Sequence, residues 1–201
     1  GQLTLERLRG VGISSHHVLS ERILASFKQA GLQPKLYNRP NSMKWSKMLT
    51  NILANASSAI LDLTPQEVYR HPELYRLELR MIEEILHVMK ALNIPVTALP
   101  GTPVNWLGWV ERNLPSWASQ PILQKALGGG RGGKMPSFHI DLYAGRKQSE
   151  VEFLNGAIVR AGERMGIETP VNRVLTETLV AMAKGSVDKK NFVGQPEKLL
   201  A

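Results

Sequence analysis

Two stretches of this sequence place polar side chains where a helix packed into a core should be apolar. The first runs from Lys44 to Ala56. In it Lys47, Asn51 and Asn55 recur at i, i+4 and i+8, on one face of a continuous helix. The small neighbours Ala54, Ser58 and Ala59 leave room for a ligand against that face. Such a row is either a solvated polar stripe or an ammonium donor beside two amides that orient a polar substrate. The second stretch runs from Pro136 to Gly156 and includes Ser137, His139, Asp141, Arg146, Lys147, Glu150 and Asn155. Thr169-Pro170-Val171-Asn172 closes it.

Other patterns carry less chemistry than they suggest. Gly128, Gly130 and Gly133 fit GxGxxG, and Gly128 with Gly133-Lys134 fits GxxxxGK. Both need a strand before them and a helix after them, so that amides at the helix start aim at a phosphate. Here Gln120 to Leu127 reads as helix, Met135 replaces the magnesium-binding hydroxyl, and Pro136 interrupts the exit. A flexible connector is the expectation. Glu84 and His87 have the Glu-x-x-His spacing of di-metal bundles but occur once, where such sites need a second copy. His16, His17, His71 and His139 show no metal-ligand spacing, so no metal is expected. There is neither a Gly-x-Ser-x-Gly elbow nor a cysteine nucleophile.

The elements that must position the two stretches change character along the chain. Gln2 to Glu6 and Gly10 to Ile13 read as short β pieces able to form a hairpin. A helix from His16 to Ala30 should follow, with Ser14 or Ser15 as N-cap and Gly31 as its stop, and then a strand at Pro34 to Asn38. This β-β-α-β set is too small to hold a sheet covered on both faces, and it reads as the tail of another domain. From Asn41 the apolar period is 3.6. Helices are expected over Asn41 to Leu61, from Thr64-Pro65 through Val68, over Pro72 to Leu92, and over Val104 to Leu114. Two more are expected over Ser149 to Met165 and Val171 to Ala183. The body is therefore mainly α, with no sheet of its own and no internal repeat.

Composition bounds the rest. A chain of 201 residues with 43% hydrophobic and 21% charged residues is an ordinary globular protein, large enough for one full domain and a fragment. It lacks cysteine, so neither disulfides nor thiolate metal sites enter, and a cytoplasmic setting is the default. No apolar run reaches the ~18 residues of a membrane helix, and Gly1-Gln2 begins no signal peptide. The net charge of +8 is scattered, without aromatic residues interleaved for base stacking. It suits a solvated surface and an anionic substrate or cofactor better than nucleic acid.

A lysine two residues after Trp45 with asparagines four and eight further on resembles the C-terminal domain of the ketopantoate reductase family. So does the run Pro-Ser, Asp, Gly-Arg-Lys, Glu-Val-Glu-Phe-Leu-Asn-Gly, with its later Thr-Pro-Val-Asn. The resemblance covers roughly residues 40 to 185. It implies a helical C-terminal domain of the 6-phosphogluconate-dehydrogenase type over residues 40–201, and a remnant of a Rossmann domain over residues 1–39. It further implies reduction of a small-molecule 2-keto acid, ketopantoate, with NADPH, a step of pantothenate and coenzyme A biosynthesis. NADPH would be held mainly by an N-terminal Rossmann domain that this chain lacks, and a homodimer is compatible with the resemblance.

Residue by residue, Lys47 would be the general acid, a role that suits lysine because burial can lower its pKa toward neutrality. Asn51 and Asn55 would orient the substrate hydroxyl and the lysine, Ser137 would bind the substrate carboxylate, and Glu150 would contact the hydroxyl. Asp141 would be structural. The spacing from Asp141 to Glu150 is one residue longer than usual in the family, with Gln148 or Ser149 as the extra residue. Two alternatives stay open: a related 2-hydroxy-acid dehydrogenase, and a helical binding or dimerisation module without catalysis.

Overall fold

The computed structural model describes residues 8, 10–100, 104 and 134–200. Strands β1 (Val11–Ser14) and β2 (Pro34–Tyr37) flank helix α1 (Ser20–Gln29) and pair in parallel, with Val11 opposite Pro34 and Ser14 opposite Tyr37. Parallel neighbours need a crossover, and α1 supplies it. The Gly10 to Ile13 piece pairs with the later strand, and residues 2–6, its expected hairpin partner, lie outside the described residues. Helix α1 also starts later than read. Ser20 Oγ donates to the Ser14 carbonyl at 2.6 Å and His17 Nδ1 accepts the Leu19 amide at 3.2 Å, so a turn fills the expected first helical turn. Leu19, not Ser14 or Ser15, is the N-cap.

The helical body follows as α2 (Pro40–Ile52), α3 (Asn55–Leu61), α4 (Pro65–Arg70), α5 (Pro72–Ala91), α6 (Ser137–Tyr143), α7 (Asn155–Met165), α8 (Pro170–Lys184) and α9 (Pro196–Leu200). Short 3-10 turns occupy Glu150–Glu152 and Lys189–Asn191. The β-α-β unit is fastened to this body. Gly12 lies so close to Met43 of α2 that any Cβ would collide with the sulfur, and the Tyr37 hydroxyl donates to the Ala98 carbonyl at 2.9 Å. Helix α4 begins as read. Thr64 Oγ1 accepts the Glu67 amide, and the Glu67 carboxylate accepts the Thr64 amide at 2.7 Å. The Thr64 hydroxyl and then its amide hold the Glu67 carboxyl below its ordinary value.

Helix α5 is the axis of the core, burying Leu74, Met81, Ile85, Val88 and Met89. Two carboxylates ride on the same buried side. Glu78, 1% exposed, accepts from the Ala54 amide at 2.8 Å and from the Ser57 hydroxyl. Glu84, 8% exposed, accepts from the amides of Val171 and Asn172 at 2.8 and 2.9 Å and from Asn172 Nδ2 at 2.6 Å. A carboxylate at a helix N-terminus satisfies orphan amides and faces the positive end of the dipole. Helices α3 and α8 thus both start on side chains of α5.

Two expected helices are interrupted. The single helix over Asn41 to Leu61 is broken, because the Ala54 amide goes to Glu78 instead of continuing the i to i−4 ladder. Ala54 adopts a left-handed φ of 51° between α2 and α3. Ser149 to Met165 is likewise two pieces. Ser149 Oγ accepts the Val151 amide to start a 3-10 turn, and Leu154, at φ −103° and ψ −85°, separates it from α7. Thr169 makes no capping bond to α8; Glu84 does. The expected helix over 104–114, the stretch 120–127 and the glycine run 128–133 lie outside the described residues, apart from Val104, which is buried. No described helix is long and apolar enough to cross a membrane.

Candidate functional site

Asn55 opens α3 with its side chain 4% exposed and every polar atom engaged. Its Oδ1 accepts the Phe138 amide at 3.0 Å, capping the start of α6 from 83 residues away. Its Nδ2 donates to the Asn51 carbonyl at 3.0 Å and to Ser137 Oγ at 3.3 Å. Both amide protons are therefore used, and none is left for a ligand. The structure brings Asn55 and Ser137 together, but the three polar residues of the first stretch do not share one helix: Lys47 and Asn51 stand on α2 and Asn55 on α3.

On α2, Ser46, Met48, Leu49 and Ile52 face the core, whereas Lys47 is exposed and Asn51 half-buried. Spacing of four residues puts Lys47 and Asn51 one turn apart on the outer face. The Asn51 side chain makes no hydrogen bond to the described residues, while its carbonyl receives Asn55. Ser137 is exposed at the first position of α6. Lys47, Asn51 and Ser137 thus present an ammonium, an amide and a hydroxyl at the surface, with Asn55 as the buried link between α2 and α6.

Glu150 is placed apart from this link. It is exposed at the start of its 3-10 turn and lines a shallow recess with Asp141, Arg146, Lys147, Ser149 and Phe153; no hydrogen bond joins it to Asn51, Asn55 or Ser137. Arg146 pairs with Asp141 at 3.0 Å across that recess, which gives Asp141 a structural partner. The residues before Glu150 form an exposed loop over 144–148, and Ser149 is buried as a cap.

The other motif residues are internal. Asn155 Nδ2 donates to Asn172 Oδ1 at 3.1 Å, and Asn172 Nδ2 donates to Glu84 and to the Met81 carbonyl. Asn155 and Asn172 are fully buried, so these bonds tie α5, α7 and α8 together inside the core. Sequence reasoning missed Glu78 and Glu84 as organisers. Their signal was legible, because Glu78 sits four after Leu74 and Glu84 three after Met81, on the apolar stripe. It also missed a cluster beside Ser137. His139 Nε2 lies 2.7 Å from Asp62 Oδ1 and its ring stacks on Tyr143. Burial, and then the Asp62 charge, pushes the Tyr143 phenol up to about 12. Among the described residues no group of three or more metal-ligating side chains occurs, and His87 is exposed.

Comparison with known proteins connects this arrangement to a family. The family model for "Ketopantoate reductase PanE/ApbA C terminal" matches residues 41–183. A 2-dehydropantoate 2-reductase of Streptococcus pyogenes serotype M1 is 28% identical over 137 residues, 68% of this chain and 38% of that protein. One from Halobacterium salinarum is 28% identical over 184 residues, 92% of this chain and 52% of that protein. The match spans between 38% and 55% of the length of these curated relatives. Among solved structures, the PanE/ApbA family ketopantoate reductase of Ralstonia eutropha superposes with a TM-score of 0.68 at 25% identity, over 88% of this chain and 52% of that one. D-mandelate dehydrogenase, in a ternary structure with NADH and anilino(oxo)acetate, shares the fold at a TM-score of 0.61 and 19% identity, over 87% of this chain and 85% of that one. The helical fold and these matches agree, and the chain belongs to the ketopantoate reductase family, whose C-terminal domain it carries.

Proposed function

We propose that this chain is the substrate-binding and catalytic half of an NADPH-dependent 2-dehydropantoate 2-reductase, which converts ketopantoate to pantoate. In this reading residues 40–201 form the substrate half, and residues 1–39 end a dinucleotide-binding domain that holds NADPH. The observation that carries it is the Asn51–Asn55–Ser137 link, which ties the lysine-bearing face of α2 to the hydroxyl at the start of α6. An ammonium, an amide and a hydroxyl on adjoining surfaces match the carbonyl and carboxylate of a 2-keto acid. The described residues include no glycine-rich strand-turn-helix for a pyrophosphate, so the dinucleotide fits the other domain.

NADPH, when bound, supplies the hydride. Lys47 gives a proton from its ammonium to the carbonyl oxygen as that oxygen becomes a hydroxyl, and water returns the proton. Asn51, whose side chain has no partner among the described residues, orients the same oxygen. Ser137 donates to the substrate carboxylate, and Asn55 fixes Ser137 instead of touching substrate. Glu150 reaches the substrate hydroxyl from the recess beside Phe153. Lys47 is exposed in this chain, so exclusion of water from its ammonium falls to the substrate and the nucleotide domain.

The test is initial-rate NADPH oxidation with ketopantoate and a panel of other 2-keto acids. The full-length polypeptide should reduce ketopantoate fastest. The isolated chain should show negligible turnover, because the hydride donor is not positioned. Faster reduction of an aromatic 2-keto acid would move the assignment to a related 2-hydroxy-acid dehydrogenase. Robust turnover by the isolated chain would overturn the division of labour.

A further inference from the structure

The first turn of α6 is gripped at three consecutive residues. Ser137 and Phe138 are held by Asn55, at the start of α3. The Phe138 side chain is buried at 1% exposure. His139 meets Asp62, the residue that ends α3, at 2.7 Å. A carboxylate can only accept, so the contact fixes Nε2 as the protonated nitrogen. Asp62 reaches this place by adopting a left-handed φ of 55°, which a short polar residue tolerates better than most. On its other side the His139 ring stacks on Tyr143 at 4.2 Å between centroids and 16° between planes. The Tyr143 ring in turn lies 4.8 Å from Lys189 Nζ. The imidazole thus joins α6 to the end of α3, and the Tyr143 ring joins α6 to the 3-10 turn Lys189–Asn191.

We propose that His139 and Asp62 are positioning residues for Ser137, forming a second clasp that orients the first turn of α6 and so aims the carboxylate-binding hydroxyl. The inference rests on the proposed role of Ser137. Asn55 grips that turn from the start of α3 only. The Asp62 contact adds a grip from the opposite end of α3 and limits rotation of the turn. His139 itself touches no substrate in this arrangement.

Two substitutions remove the clasp with little other damage. Asp62→Gly keeps the left-handed backbone without the carboxylate, and His139→Phe keeps the ring on Tyr143 without the donor. His139→Gln, which can present an amide donor near the same place, is the rescue variant. In this chain, amide hydrogen exchange over residues 138–143 should quicken by about tenfold in both breaking variants while the centre of α5 is unchanged. In the full-length enzyme, KM for the 2-keto acid should rise about three- to tenfold with kcat nearly constant, and His139→Gln should recover much of the loss. Unchanged exchange in α6 would overturn the clasp. Faster exchange with an unmoved KM would overturn its positioning of Ser137. A wild-type enzyme inactive on 2-keto acids would remove the proposed function and leave the clasp to be decided by exchange alone.

Discussion

Replacing Asn55 by alanine separates two roles that its sequence position cannot tell apart. If Asn55 faces substrate, Asn55→Ala should hardly change stability, since substitutions away from packed or bonded features stay within about 0.5 kcal/mol. The structure instead gives it three hydrogen bonds at 4% exposure. Loss of the cap on the Phe138 amide costs about 1 kcal/mol as an N-cap, and more because that donor is buried. The Asn51 carbonyl also loses a donor, whereas exposed Ser137 can turn to water. Together these come to about 2 to 3 kcal/mol, or roughly 5 to 10 °C in Tm for a chain of this size. Urea unfolding of this chain should show that loss at an unchanged denaturant slope, with Asn55→Asp, which keeps the acceptor, losing about half as much. Asn51→Ala should fall within about 0.5 kcal/mol of wild type, because its side chain bonds nothing described. Equal, small effects for both asparagines would refute the assignment of Asn55 as a clasp.

Glu84→Ala should destabilise the chain by about 3 kcal/mol, because two amides and an amide side chain at the start of α8 lose their acceptor in a buried setting. Chemical denaturation checks this, and a change under about 1 kcal/mol would contradict the anchoring of α8 on α5. Alkaline titration followed by phenolate absorbance should show Tyr143 ionising at about 12, a component missing from Tyr143→Phe. Its raised value means that the unfolded phenol gives up its proton first. The stability it contributes is therefore complete below about pH 10 and is lost as pH climbs toward 12. A difference curve centred near 10 would contradict the desolvation of that phenol.

Local signals carried the reading where local physics decided the outcome. Thr64-Pro65 with Glu67 started a helix as expected, and the apolar stripe of α5 was read to within one residue of its observed end, Ala91. Lys47 and Asn51 share a helical face because a four-residue spacing requires it. Reading failed where a distant side chain intervened. The break at Ala54 is imposed by Glu78, 24 residues away, and the approach of Asn55 to Ser137 spans 82 residues. The start of α8 rests on Glu84, not on the threonine before its proline. The chemical groups were thus readable from spacing, but their division into surface and buried partners was set by tertiary contacts.

The central claim is that Lys47 donates the proton, and kcat of Lys47→Ala in the full-length enzyme with ketopantoate and NADPH tests it most directly. Loss of a general acid should lower kcat by about two to four orders of magnitude while NADPH binding changes little. A kcat within about twofold of wild type, the range of an exposed side chain remote from any site, would contradict the claim.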